Sequence, residues 1–219
     1  MDIVLSETEV RVLGCLIEKE IATPDYHPLT LNALTNACNQ KSNRSPVVSY
    51  EEKTVARGLD GLRAKGLAKL AYTVGSRVPK YKHSFLDQFD VSRREIAVLC
   101  ELMLRGPQTA GEIRARAERI YEFRDLEEVE EILQGLMEQE RPMVIKLPRQ
   151  AGRKELRYMH LFSGKPQITE EDQAISVEPA TLRVRAEDER ISRLEDEIAA
   201  LRRELDALRE DFGRFKSQF

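Results

Sequence analysis

Apolar residues recur at three- and four-residue spacing in a series of short helical stretches, each series closing on a run that alternates, and the whole pattern is laid down twice. Val10, Leu13, Leu16, Ile17 and Ile21 form the first helical stripe. Ser6 with Glu9 three residues on is a capping-box signature at its start. Pro24 and Pro28 bracket a loop, and Thr30 caps a short second helix carrying Leu31, Leu34 and Cys38. The polar stretch Asn39–Val47 turns the chain before Ser49 and Glu52 repeat the capping box for a third helix. That helix buries Val55, Leu59 and Leu62 and stops at Gly66. Leu70, Tyr72 and Val74 then alternate with Lys69, Ala71 and Thr73 up to Gly75 and Ser76, the period of a half-buried strand entering a hairpin.

The second series echoes the first residue by residue. Gly75, Tyr81, His83 and Phe85 return as Gly152, Tyr158, His160 and Phe162 at a constant offset of 77. Val55, Leu59, Gly61 and Leu62 return as Val129, Leu133, Gly135 and Leu136 at 74, and Ser6, Glu9 and Leu13 as Ser92, Glu95 and Leu99 at 86. Each copy reads helix, helix, helix, hairpin, the winged-helix variant of the helix-turn-helix. The expected fold is mainly α with small β wings: winged-helix domains over 1–86 and 87–164, a linker over 165–182 and a C-terminal coiled-coil helix over 183–219.

In that last segment the apolar period becomes a heptad. Ile191, Ile198, Leu205, Phe212 and Phe219 fall at a, and Leu194, Leu201, Leu208 and Phe215 at d. A parallel pair sets Arg190 against Glu195, Glu197 against Arg202, Glu204 against Arg209 and Asp211 against Lys216, all attractive. An exposed pair contributes a few tenths of a kcal/mol, whereas a buried a or d side chain contributes about 1.5–3 kcal/mol. Burial supplies the stability and charge selects the orientation. The expected partner is a second copy of the chain, with Ile191, Leu194, Ile198, Leu201, Leu205, Leu208, Phe212 and Phe215 as the dimer seam; the alternative is a helix folded back on its own winged domains.

Charge separates the two copies. The net charge of the whole chain is −3, yet residues 39–85 carry 10 basic residues against 3 acidic ones. The second copy balances 13 against 13, and its third helix is acidic, with Glu127, Glu128, Glu130, Glu131 and Glu138. Lining a phosphate backbone with that helix is repulsive. A helix-turn-helix lays its last helix in the major groove and uses flanking elements on the backbone. On that geometry the DNA-contact candidates are Lys41, Asn43 and Arg44 before the third helix, Tyr50, Lys53, Thr54 and Arg57 on it, and Arg77, Lys80 and Lys82 on the wing. Long cations suit phosphate, and Asn43, Thr54 or Arg57 suit base edges. The plain alternative is a set of solvated surface charges.

Other chemistries find little support. Cys15, Cys38 and Cys100 are odd in number and widely spaced, without a zinc pattern, and read as small buried hydrophobes. Tyr81, Tyr158, Phe85 and Phe162 recur in both copies and read as core residues pinning the wing rather than stacking platforms. His83 and His160 read as a repeated structural hydrogen bond, and His27 stands alone in a loop. There is no P-loop, dinucleotide glycine motif, zinc-protease motif or nucleophile elbow, so neither an enzyme nor a cofactor is expected. The longest nearly apolar run, Ile96–Leu104, is far short of the roughly 20 residues a bilayer requires. With no secretory succession after Met1, a cytoplasmic protein without membrane contact is expected.

The stretches LGCLIEKE from Leu13, LTNACNQKSNRSPV from Leu34, RVPKYKHSF from Arg77, RGPQTAGEIRARAERIYEF from Arg105 and RYMHLFSG from Arg157 resemble the YceH-like family of uncharacterised bacterial proteins. The likeness covers about residues 3–164; the heptad tail is similar only in character. It implies a tandem winged-helix fold and a bacterial cytoplasmic protein, and implies no particular activity. The functional expectation therefore rests on the residues: a homodimeric protein that binds double-stranded DNA through its first copy, as a transcriptional regulator or architectural factor. The alternative is a protein-interaction scaffold in which the acidic second copy holds a basic partner.

Overall fold

The computed structural model describes residues 3–71, 78–149 and 155–166, and these fall within one compact unit; 167–219, including the whole heptad seam, lie outside the described residues. The architecture is mainly helical with two small antiparallel sheets. The first half runs α1 (Glu7–Ala22), β1 (Leu29–Thr30), α2 (Leu31–Cys38), α3 (Glu52–Ala64), β2 (Ala68–Ala71) and β3 (Lys80–His83). The second runs α4 (Arg93–Arg105), α5 (Ala110–Ala117), α6 (Leu126–Glu138), β4 (Val144–Lys146) and β5 (Tyr158–His160).

Helix starts follow the local chemistry. Ser6 accepts from the Glu9 amide while Glu9 accepts from the Ser6 amide at 2.7 Å, and Ser92 with Glu95 repeats the arrangement. Thr30 and Thr109 cap α2 and α5, the latter with Glu112 completing a box. The box expected at Ser49 and Glu52 is not formed. Asn39 instead grips the Tyr50 backbone from both sides, accepting from its amide at 2.7 Å and donating to its carbonyl at 2.8 Å. Glu51, itself extended, becomes the N-cap of α3 and provides no side-chain cap. At its other end Gly66 takes a positive φ of 72°, which lets the Leu67 amide donate back to Leu62.

β3 lies between β1 and β2, pairing Leu29 and Leu70 with Tyr81 and Ala68 with His83. β1 has two residues, too few to show a period, which is why the sequence pattern left it unmarked. In the second half an isolated bridge, Gln108 to Tyr158, stands where β1 stands in the first.

The core runs continuously through both halves. Every residue of α1 from Glu9 to Glu18 is buried, polar ones included, because α2 and α3 cover one side and α4 the other. At the α1–α4 crossing, a Cβ on Gly14 would meet Leu104 Cδ2 at 2.9 Å and Met103 Cβ at 3.3 Å, so glycine sets how closely the helices approach. Phe85, Phe89 and Phe162 form a second bridge between the halves, the Phe85 and Phe162 rings meeting edge-on at 5.5 Å. The aromatic residues of the hairpin ends are core, as their recurrence implied, and all three cysteines are buried and free.

Candidate nucleic-acid interface and the charge network beneath it

The residues expected to face DNA divide into those that point outward and those that the fold has taken inward. Lys41 is exposed on the α2–α3 connection, and Lys53 and Arg57 are exposed four residues apart on α3, hence on one face of the helix. Lys80 and Lys82 are half-exposed on β3, on the sheet face opposite Tyr81 and the buried His83. None of these five cations makes an ion pair with a carboxylate among the described residues. Thr54 and Arg57 line an open cleft of about 410 Å³ with Ser6, Thr8, Glu9 and Gly58, between the start of α1 and the middle of α3. Tyr50 packs half-buried against the core. Arg77 lies outside the described residues.

Arg44 and Asn43 leave the expected interface. The Arg44 side chain is 0% exposed and forms a two-pronged pair with Glu18, Nη2 to Oε2 at 2.6 Å and Nη1 to Oε1 at 2.9 Å. Its remaining N–H groups donate to the carbonyls of Ala37 and Asn43 and to Gln40 Oε1. A guanidinium so enclosed has no donor left for phosphate. Asn43, at a positive φ of 59°, accepts through Oδ1 from Arg105 of α4. The polarity of the α2–α3 connection, read as an outward feature, is largely spent on holding that connection in place. Arg11 adds to this, donating to Cys38 O at 3.3 Å and to Pro46 O at 2.7 Å, and the Ser45 amide donates to Leu104 O at 3.0 Å.

The Arg44–Glu18 pair belongs to a ring of charge joining the two halves, in which Glu18, Arg44 and Glu101 are buried and Arg105 and Arg119 are partly exposed. Glu18 also pairs with Arg119, which lies 3.6 Å from Glu101; Glu101 pairs with Arg105 at 3.0 Å; Arg105 returns to Asn43, whose carbonyl accepts from Arg44. Burial raises the Glu18 carboxyl, but the Arg44 hydrogen bonds and the fields of Arg44, Arg119 and Lys19 outweigh it and hold it below the usual carboxylate range. For Glu101 burial wins over Arg105 and Arg119, and its carboxyl is pushed up. Glu18, Glu101, Arg105 and Arg119 were not singled out from sequence. The available signal was a charge inside a nearly apolar run, Glu101 between Cys100 and Leu102; Glu18, followed by Lys19 and Glu20, gave none.

The histidines are structural in unequal ways. His83 accepts from the Phe85 amide at 3.3 Å, the local bond its recurrence implied. The equivalent His160 has no partner for Nδ1 among the described residues, and its ring stacks on Phe162. His27 is not alone: its Nε2, like that of His83, lies 3.3 Å from Glu20 Oε2, tying the loop before β1 to the end of α1. Among the described residues no group of three or more His, Cys, Asp or Glu is arranged to hold a metal ion, and no helix is long and apolar enough to cross a membrane.

Comparison with known proteins identifies the relatives. A family model described as DUF480, protein of unknown function, matches residues 5–153. A UPF0502 protein of Geobacter metallireducens is 56% identical over 219 residues, and one of Geotalea daltonii 57% over 219 residues; each alignment covers all of both chains. One of Geotalea uraniireducens is 55% identical over the same full length. The motif likeness is thus borne out, and the chain belongs to the DUF480 family of bacterial proteins, whose members are called UPF0502 proteins.

Proposed function

We propose that the protein binds double-stranded DNA through its first half, with each helix–helix–helix–hairpin half a winged helix and α3 the reading helix. One observation carries this reading: Lys41, Lys53, Arg57, Lys80 and Lys82 stay solvent-facing and unpaired with carboxylates among the described residues, while Arg44, Arg105 and Arg119 are paired with the chain's own carboxylates. Cations left without partners on a reading helix and hairpin suit a phosphate backbone. Five phosphate contacts give a log-log salt slope of about −4 to −5.

The test is an anisotropy titration of random genomic fragments over a range of salt. The Lys53→Ala/Arg57→Ala double variant, both changes being on exposed side chains, is expected to bind at least about tenfold more weakly with the slope reduced by about 2. Binding and slope both unchanged would remove α3 as the reading helix.

Self-association through 183–219 completes the proposal, supported by the heptad pattern. Substituting Ile198 and Leu205, both a positions, with Asp is expected to convert a dimer to a monomer in sedimentation equilibrium. A wild-type monomer at tens of micromolar would exclude the dimer.

A second reading, a protein-interaction scaffold, draws on α6. It exposes Glu127, Glu130, Glu131 and Glu138 with no cation partner among the described residues. A stoichiometric protein recovered on the chain after nuclease treatment would favour this reading, whereas loss of all bound material would favour DNA.

A further inference from the structure

α1 and α3 meet through glycine. A Cβ on Gly58 would stand 2.9 Å from Thr8 Cγ2 and 3.4 Å from Val12 Cγ2, and one on Gly61 would collide with the Glu9 carboxylate. The two glycines lie three residues apart, hence on one face of α3, and the first turn of α1 seats directly on that face. Glu9 is spent on holding it there. Its Oε1 is taken by the Lys65 ammonium and its Oε2 by the Ser6 amide at 2.7 Å.

The open cleft beside this contact takes one wall from each helix: Ser6 and Thr8 from the start of α1, Thr54 and Arg57 from α3. Ser6 Oγ accepts from the Glu9 amide at 3.3 Å, which leaves its O–H to donate outward. The Thr8 and Thr54 hydroxyls and the Arg57 guanidinium have no partner among the described residues. The exposed Glu7 does not line the cleft. With Glu9 matched by Lys65, the walls present three hydroxyl donors and one unmatched guanidinium fork, a donor set suited to phosphate.

The duplication supplies an internal comparison. At the offset of 74, Thr54, Arg57 and Gly58 correspond to Glu128, Glu131 and Ile132. Ile132 is buried in the core, and Glu128 accepts from the Arg124 amide at 2.8 Å. In the second half a large side chain stands where the first has glycine, and carboxylates stand where it has donors. The donor set is therefore not a requirement of the fold.

We propose that the cleft is a clamp for one DNA backbone phosphate, gripped between Arg57 and the hydroxyls of Ser6, Thr8 and Thr54. The clamp rests on the DNA reading and deepens it. It brings the start of α1 onto the backbone beside the reading helix, as the first helix of a helix-turn-helix crosses the backbone, and it makes Arg57 a phosphate ligand in place of a base reader. Glu9, held between Gly61 and Lys65, fixes the walls relative to each other, so the site is formed before DNA arrives.

The test is anisotropy of labelled genomic duplexes, several single sequences each titrated with the full-length protein over a range of salt. Thr8→Val keeps the methyl group that packs on Gly58 and removes only the hydroxyl; it is expected to weaken binding about fivefold with the salt slope unchanged. Arg57→Ala is expected to lower the slope by about 1 and to weaken every sequence by a similar factor. Thr54→Glu installs the second half's residue in the first turn of α3, where a carboxylate favours the helix, and is expected to weaken binding at least about tenfold. Inorganic phosphate is expected to displace DNA no better than chloride at equal ionic strength. Wild-type affinity in both Thr8→Val and Thr54→Glu, with Lys53→Ala still weakened, would overturn the clamp and leave the DNA reading standing. An Arg57→Ala loss confined to particular sequences would make Arg57 a base reader, and displacement by micromolar phosphate would make the cleft a site for a free anion; either overturns the assignment. A wild-type protein that binds no duplex removes the DNA reading and the clamp together.

Discussion

Glu18→Ala is expected to lower folding stability by about 3–5 kcal/mol, the range for removing one partner of a buried pair and leaving the other's charge uncompensated. Arg44 is the charge left behind, its side chain without solvent exposure and with only neutral acceptors, the carbonyls, Gln40 and the Cys15 sulfur, to receive its N–H groups. Arg119 loses its Glu18 contact in the same step, so both copies are affected. Urea unfolding measures the effect. The double variant Glu18→Ala/Arg44→Met is the decisive comparison, because replacing both charges with apolar groups removes the uncompensated ion. It is expected to recover most of the loss. A single variant within about 1 kcal/mol of wild type, or a double variant as unstable as the single, would show that the pair is not held in a desolvated site.

Acid is expected to weaken the fold before most carboxylates titrate. Burial lowers His160 to about 4, and burial outweighs Glu20 in lowering His27 and His83. A histidine whose folded pKa is depressed binds its proton more readily when the chain is unfolded. Its contribution is therefore fully present above the unfolded value of about 6.5 and is lost as pH falls towards the folded one. For His160 alone the loss is about 2 kcal/mol at pH 5 and about 3 kcal/mol at pH 4. Glu101, pushed up, opposes this by gaining stability as pH falls through its folded pKa. Glu9 and Glu18, held down, add to the loss only as pH falls below their unfolded range. Denaturant midpoints at pH 7 and pH 5 for wild type and His160→Gln measure the slope. The variant is expected to flatten it by the His160 share; an unaltered slope would place the titration elsewhere.

Much of the architecture was legible because the first-order signals are local. Ser6 with Glu9, Ser92 with Glu95, and Thr30 each cap the helix that their spacing announced, and Gly66 stops α3. Ser49 failed for a reason that local reading does not contain: Asn39, 11 residues away, holds the Tyr50 amide and carbonyl, and the helix starts only after Glu51. The cations of α3 and β3 were legible as outward because they alternate with core positions. Arg44 was not, since its partner Glu18 is 26 residues distant and reads as an ordinary surface charge on an amphipathic helix. Such a reading assumes one wet side, and α1 has none over Glu9–Glu18.

That double coverage of α1 also bears on the order of synthesis. Cys100 reaches Gly14 across 86 residues and Arg119 reaches Glu18 across 101, so α1 leaves the ribosome long before the surfaces that shield its second side exist. Until α4 and α5 emerge, Glu18 has Arg44 but lacks Arg119, and the second side of α1 is uncovered. The first half therefore completes its packing only once the second has been made.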